Sequence, residues 1–197
     1  MKISLLLRLA FGLVALGLVA GCNLLPEPKP DLTRYFVLEG GVPGASAPTG
    51  SVRLGLRPVE IPAYLKTKSM VVRNGGNEIR YVDSARWAEP LDAGLTRLLR
   101  AALATRAQVV AYPFPANLER DYDVTIRVLN AEGTDGGVRF TAVVVITRVG
   151  DTATQVERRV FTAPPRVWRG DYAELAAGLS AAVAGLADEV LLAIPAK

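Results

Sequence analysis

The sequence predicts a single α/β domain: a mixed sheet, part of it an antiparallel meander, carrying two principal helices. Three observations support this. Helical periodicity is confined to two segments, one in mid-chain and one at the C-terminal end. Segments of strand periodicity fill the chain before and between them. The strongest of these, Val138 to Val149, is apolar on both faces and is followed at once by a more charged strand. The 197 residues, 50% of them hydrophobic, are enough for one domain with a real core.

The elements follow in order. Arg34 to Leu38 reads as a first strand, and Gly40 to Ser51, rich in Gly, Pro, Ala and Ser, as a loop. Val52, Leu54 and Leu56 alternate in a second strand that ends before Pro58 or Pro62, since proline has no N–H to give a ladder. Ser69–Arg73 and Ile79–Val82 flank Asn74-Gly75-Gly76-Asn77, which tolerates positive φ, and so form a hairpin. Trp87 to Arg106 reads as a helix, with Pro90 in its first turn, where a missing N–H costs nothing. Leu91, Leu95, Leu98, Leu99, Ala102 and Leu103 make its apolar stripe. Arg97, Arg100 and Arg106 lie off the stripe and read as a solvated face rather than a phosphate site.

Four strands come next: Gln108–Tyr112, Asp121–Ala131, Val138–Val149 and Thr154–Thr162. The last three form the meander, with the charged Thr154–Thr162 nearest an edge. A strand apolar on both faces is expected in mid-sheet with cover on both sides. The final helix runs from about Tyr172 to Ile194, with Asp171 and Glu174 at capping-box spacing. Its many Ala and Gly residues suit close packing on its own sheet, the favoured reading, or on a second copy in a homo-oligomer.

The N-terminal segment is read apart from the fold. Lys2 and Arg8 precede an uncharged run, Leu9 to Ala20, that is too short to span a bilayer comfortably and has the size of a signal-peptide core. Val19-Ala20-Gly21-Cys22 then resembles the lipobox of bacterial lipoproteins, with small residues before the chain's one cysteine. The alternative is an ordinary signal or an uncleaved anchor with a chance cysteine. The lipobox reading divides the chain into a signal at 1–21, a lipidated Cys22 with a Pro-rich tether to residue 33, and a domain at 34–197. Asn23 after the cysteine, in place of Asp, favours the outer membrane. Pro26, Pro28 and Pro30 make the tether semi-rigid, and eleven residues at ~3.1 Å each set the domain roughly 35 Å from the bilayer.

Composition excludes several functions. Histidine is absent and Cys22 is the one cysteine, so Cys/His zinc sites, Ser-His-Asp and Cys-His catalysis and an internal disulfide cannot be built. The formal charge of +4 halves once Lys2 and Arg8 leave with the signal, which removes the main support for nucleic-acid binding. No cofactor, no metal and no enzymatic activity are expected.

Beyond the lipobox and Arg34-Tyr35-Phe36-Val37-Leu38, three groups of residues carry a family resemblance. They are Arg57-Pro58-Val59-Glu60-Ile61-Pro62-Ala63-Tyr64-Leu65, then Ile79-Arg80-Tyr81 with Ala85-Arg86-Trp87-Ala88-Glu89-Pro90-Leu91, and finally Gly170-Asp171-Tyr172 with the alanine-rich helix. Over essentially its whole length the chain resembles the ABC-type transport auxiliary lipoproteins, which include the paraquat-inducible protein C group. The resemblance implies a periplasm-facing accessory that works beside an MCE-domain protein and an ABC permease in carrying lipid or hydrophobic solute between two membranes, and so supports envelope integrity. It implies neither ATPase nor pore, and the sequence independently has no Gly-rich phosphate loop of the Walker kind.

Three function classes are weighed: an accessory that docks on envelope proteins, favoured; a lipid-binding shuttle with its own apolar pocket; and a carboxylate hydrolase. The acids for the last, Asp83, Glu89, Asp121 and Asp123, read better as turn and cap residues. For docking, Tyr64 and Leu65 follow a double-proline segment and suit a partner anchor, or else tuck against their own domain. Trp87 poses the same choice at the start of a helix, with the core the favoured place. Arg86 and Glu89 are within reach of an ion pair.

Overall fold

The computed structural model describes residues 30–40, 52–150 and 154–195. The signal, Cys22, nearly all of the tether and the loop at 41–51 lie outside them. The described residues from Thr33 onward form one compact unit. Its elements are β1 (Arg34–Phe36), β2 (Arg53–Leu56), β3 (Ser69–Asn74), β4 (Glu78–Trp87), α1 (Leu91–Leu103), β5 (Gln108–Ala111), β6 (Tyr122–Thr134), β7 (Gly137–Arg148), β8 (Thr154–Thr162) and α2 (Tyr172–Ala193). This is the predicted order of strands and helices.

One strand organises the sheet. Along one edge β6 pairs antiparallel with β7, from Tyr122↔Arg148 to Thr134↔Gly137. β8 extends that meander as its edge strand. The other edge of β6 is served by a single run of chain. β2 pairs parallel with its start, Leu54↔Tyr122 to Leu56↔Val124. β3 pairs parallel with its end, Val72↔Gly133 and Arg73↔Thr134. Between them the Pro58–Pro62 segment stays in touch: Arg57 N–H donates to Val124 O, Glu60 N–H to Ile126 O, and Val128 N–H to Glu60 O. The prolines break a continuous ladder because they lack donors, while their neighbours still satisfy β6. Two branches leave this edge, β2–β5 and β3–β4–β1.

Both helices pack on one face. On that face β6 presents Tyr122, Val124, Ile126 and Val128, and β7 presents Phe140, Ala142, Val144 and Ile146, all buried. A bulge between Val128 and Asn130 shifts the phase of β6, so Ala131 and Gly133 continue the covered face. α2 seats Leu175, Leu179, Val183, Leu186 and Val190 in the core. A Cβ on Gly178 would lie 2.6 Å from Val138 Cγ2, so the small residues of α2 bring it close to its own sheet. Asp171 caps the helix by accepting from Ala173 N–H at 3.1 Å, while Glu174 reaches Arg169 N–H instead of closing a capping box. By length and composition α2 passes for a membrane span, but its burial against the sheet marks it as a core helix.

Three expectations need correction. The first helix starts at Leu91, not Trp87: Trp87 ends β4, pairs with Phe36, and donates its N–H to Lys68 O at 2.7 Å. Glu89 pairs with Arg97 at 2.5 Å, and Arg86 Nε donates to Asp83 O. Glu89 thus pairs with a residue of α1 and not with Arg86. Finally, β7 lies between β6 and β8 as expected, but the helices cover only one of its faces.

The close approach of α2 gives a direct test. Gly178→Val forces overpacking against Val138, with an expected cost of about 1–3 kcal/mol in urea unfolding. Adding Val138→Ala should recover part of that loss, because the clash rather than helix propensity is its source.

Candidate interaction surface

The face of the sheet opposite the helices is the candidate site. β7 sends Val143 and Val145 to it, both only half-buried. Across the β7–β8 ladder Val143 faces Val160 and Val145 faces Arg158. Val160 is 62% exposed, and Leu129 at the bulge is 43% exposed. With Thr125 and Arg127 these side chains line a shallow cavity of about 370 Å³. Charge at its margin is positive. Arg127 is shared with Glu60 at 3.1 Å, while the Arg158 and Arg139 side chains have no ion pair among the described residues.

One end of this face is closed by a polar cluster. Glu132 on β6 is fully buried. Arg73 on β3 donates Nε to its Oε1 at 2.5 Å, and Tyr64 donates its hydroxyl to Oε2 at 2.9 Å. Arg73 Nη1 also donates to Gly76 O at 3.0 Å, which ties the β3–β4 turn to the cluster. A carboxylate out of water needs such partners, and breaking a buried pair typically costs ~3–5 kcal/mol. Glu132 holds the Arg73 guanidinium above its usual value through their hydrogen bond. Burial, then Glu132, pushes the Tyr64 phenol up to about 12. Beside the cluster, Asn130 Oδ1 is buried without a hydrogen-bond partner.

The structure places the sequence-selected residues in different settings. Tyr64 and Leu65 lie in a 3-10 turn, Ala63–Leu65, that leaves the edge of β6 between β2 and β3. Leu65 is 1% exposed and packs in the core, whereas Tyr64 is half-buried and reaches the open face through its hydroxyl. Trp87 is 5% exposed, in the core at the end of β4. Cys22 lies outside the described residues. Glu132 and Arg73 were missed because the strand was read to end at Ala131 and the bulge removes Glu132 from the apolar phase.

This arrangement suits association better than catalysis. Glu132, Arg73 and Tyr64 are held in mutual hydrogen bonds, and the accessible part of the face is aliphatic with an arginine margin. Among the described residues no three His, Cys, Asp or Glu side chains gather to hold a metal ion.

Comparisons with known proteins place this geometry in context. The family model for the ABC-type transport auxiliary lipoprotein component matches residues 36–191. A crystal structure described as that of an uncharacterized protein has TM-score 0.67 and 20% identity, over 83% of this chain and 99% of that one. Protein XCC0632 from Xanthomonas campestris, of family DUF330, has TM-score 0.63 and 20% identity, over 81% and 93% of the two chains. At that identity these two show a shared fold. A search of curated proteins finds no match.

The Tyr64 phenol provides a titration of the cluster. Its value rises from 10.0 unfolded to about 12 folded, so the folded state holds the proton more tightly. That stabilisation is complete below the unfolded value and is lost as pH rises through the folded one. Between pH 10 and 12 the melting temperature of the parent should therefore fall more steeply than that of Tyr64→Phe. Parallel profiles would show that the hydroxyl is not held by Glu132.

Proposed function

The chain belongs to the family of ABC-type transport auxiliary lipoprotein components, and on that premise we propose an outer-membrane lipoprotein anchored through Cys22. It acts on the periplasmic side as an accessory subunit of an MCE/ABC-type lipid transport system between the inner and outer membranes, and so supports envelope integrity. Its role is non-enzymatic. The observation that carries the reading is the open sheet face of Val143, Val145, Val160 and Leu129 margined by Arg127 and Arg158. In a sheet whose other face packs against both helices, such a surface suits burial against another protein. The arginine margin favours a partner patch with an apolar centre and acidic rim, which we assign to the MCE-domain protein of the system.

The anchor and the tether support the same reading. Acyl chains on Cys22 fix the chain to a membrane surface, and stable anchoring takes more than one chain. The Pro-rich segment holds the domain away from that surface, towards components in the opposite membrane. Tyr64 serves the interface indirectly, by fixing Glu132 at the end of the open face.

Two experiments test the proposal. Cys22→Ser should release mature protein or leave the precursor unprocessed in membrane fractionation; a mature-sized species still in the outer membrane would contradict the anchor. Arg158→Glu with Val160→Glu changes only exposed side chains, so stability should shift by no more than about 0.5 kcal/mol per site. Co-purification with the MCE-domain partner should fall at least tenfold. Unchanged co-purification by a stably folded variant would remove the interface from this face.

A further inference from the structure

A second, solvent-open groove of about 700 Å³ lies elsewhere, between the outer flank of α1 and the edge strand β5. Its volume falls within the ~300–1,000 Å³ typical of small-ligand sites. Leu56, Ala101, Ala104 and Ala111 give it an apolar surface, and Tyr112, 52% exposed, stands at its side. The alanines leave the space: a larger side chain at 101, 104 or 111 would occupy it. Thr96 accepts the Val59 N–H at 2.9 Å and so fixes α1 against the end of β2. The cavity is therefore held between packed elements.

Its charge is unevenly placed. Arg97 and Arg100, three residues apart on α1, both border the cavity. Arg97 is engaged, with Glu89 at 2.5 Å and Leu38 O at 2.8 Å. Arg100 is exposed and makes no ion pair among the described residues. The lone acid in the lining, Asp92, is eight residues earlier, about 12 Å along the helix at 1.5 Å per residue. Among the described residues, an aliphatic wall thus has one free cation, Arg100, beside Ala101 and Ala104. The carbonyl end of α1 opposes an anion, so anion binding there leans on the Arg100 guanidinium.

We propose that this groove binds a single-chain anionic amphiphile, its acyl chain against the alanines and its carboxylate or phosphate at Arg100, the Arg97 guanidinium being held by Glu89 and Leu38 O. One acyl chain matches a single cavity of this size. The inference goes beyond the docking role, since it gives the domain a ligand of its own.

Photolabelling of the full chain in phosphatidylcholine nanodiscs tests it. A palmitate analogue with a diazirine on its chain should label the 101–112 region, and the matching hexadecanol analogue should label it at least tenfold less. Arg100→Glu should weaken palmitate labelling roughly ten- to hundredfold, the scale of losing a charge-assisted hydrogen bond. Ala104→Trp, which fills the cavity, should abolish it. Arg100 is exposed and Ala104 is half-buried at the groove wall, so unchanged melting curves verify folding. Competition by unlabelled palmitate and by lysophosphatidylglycerol distinguishes a fatty acid from a lysophospholipid as the better ligand. Equal labelling by the alcohol, labelling that survives Ala104→Trp, or labelling centred on the open sheet face would overturn the proposal. Co-purification with the MCE-domain partner is read on the same variants. Loss of labelling with retained association separates the ligand site from the docking role, and each can fail alone.

Discussion

The structure rests on the hydrogen-bonding demand of β6. Thirteen residues in mid-sheet present donors and acceptors along both edges, and leaving such groups buried and unpaired is costly. β7 meets one edge with an ordinary hairpin. The other edge is longer than either β2 or β3 alone, so the chain from Arg53 to Asn74 runs its length and detours at Pro58–Pro62 and the turn at Ala63–Leu65. The sheet splits at that detour. Arg73, Tyr64 and Glu132 join its two sides through side chains where the backbone ladder is interrupted.

Much of this was legible in the sequence. The order of strands and helices, the meander, the edge position of β8 and the buried stripes of both helices follow from periodicity and turn residues. Parallel pairing of β2 and β3 with β6 did not, because no local signal encodes which distant strand completes an edge. Trp87 was taken for a helix residue since it stands just before Pro90; tertiary pairing with β1 kept the chain extended to that point. The polar cluster was hidden for a related reason. A single bulge in β6 changes which residues share a face: by simple alternation Asn130 and Glu132 look in phase with Tyr122 to Val128, and only the register places them on the opposite face. Apolarity on both sides of Val138–Val149 was correctly read as mid-sheet placement, whereas cover on the second side required helices that the chain places on the first.

That open face is where the proposed function meets the fold. Two helices, one fitted tightly through Gly178, satisfy one side of the sheet. Val143, Val145 and Val160 lie on the other, where no helix among the described residues covers them. Membership of a transport-auxiliary lipoprotein family supplies a reason for the surface: an accessory works by contact. The same logic separates this face from the alanine-walled cavity at α1, where small side chains leave room and free positive charge gives that room a chemical preference.

Cysteine accessibility tests the central claim most directly. Val160→Cys places a thiol on the open face and Leu192→Cys places one on the solvent side of α2, where Leu192 is 76% exposed. Maleimide labelling of each is followed by peptide mass spectrometry, for the chain alone and for the chain with the proposed MCE-domain partner and permease. Burial of the open face in the assembly predicts slow labelling at residue 160 only when the partners are present, with residue 192 reacting equally fast in both states. Equal rates at residue 160 with and without the partners, in an assembly that still co-purifies, would contradict it.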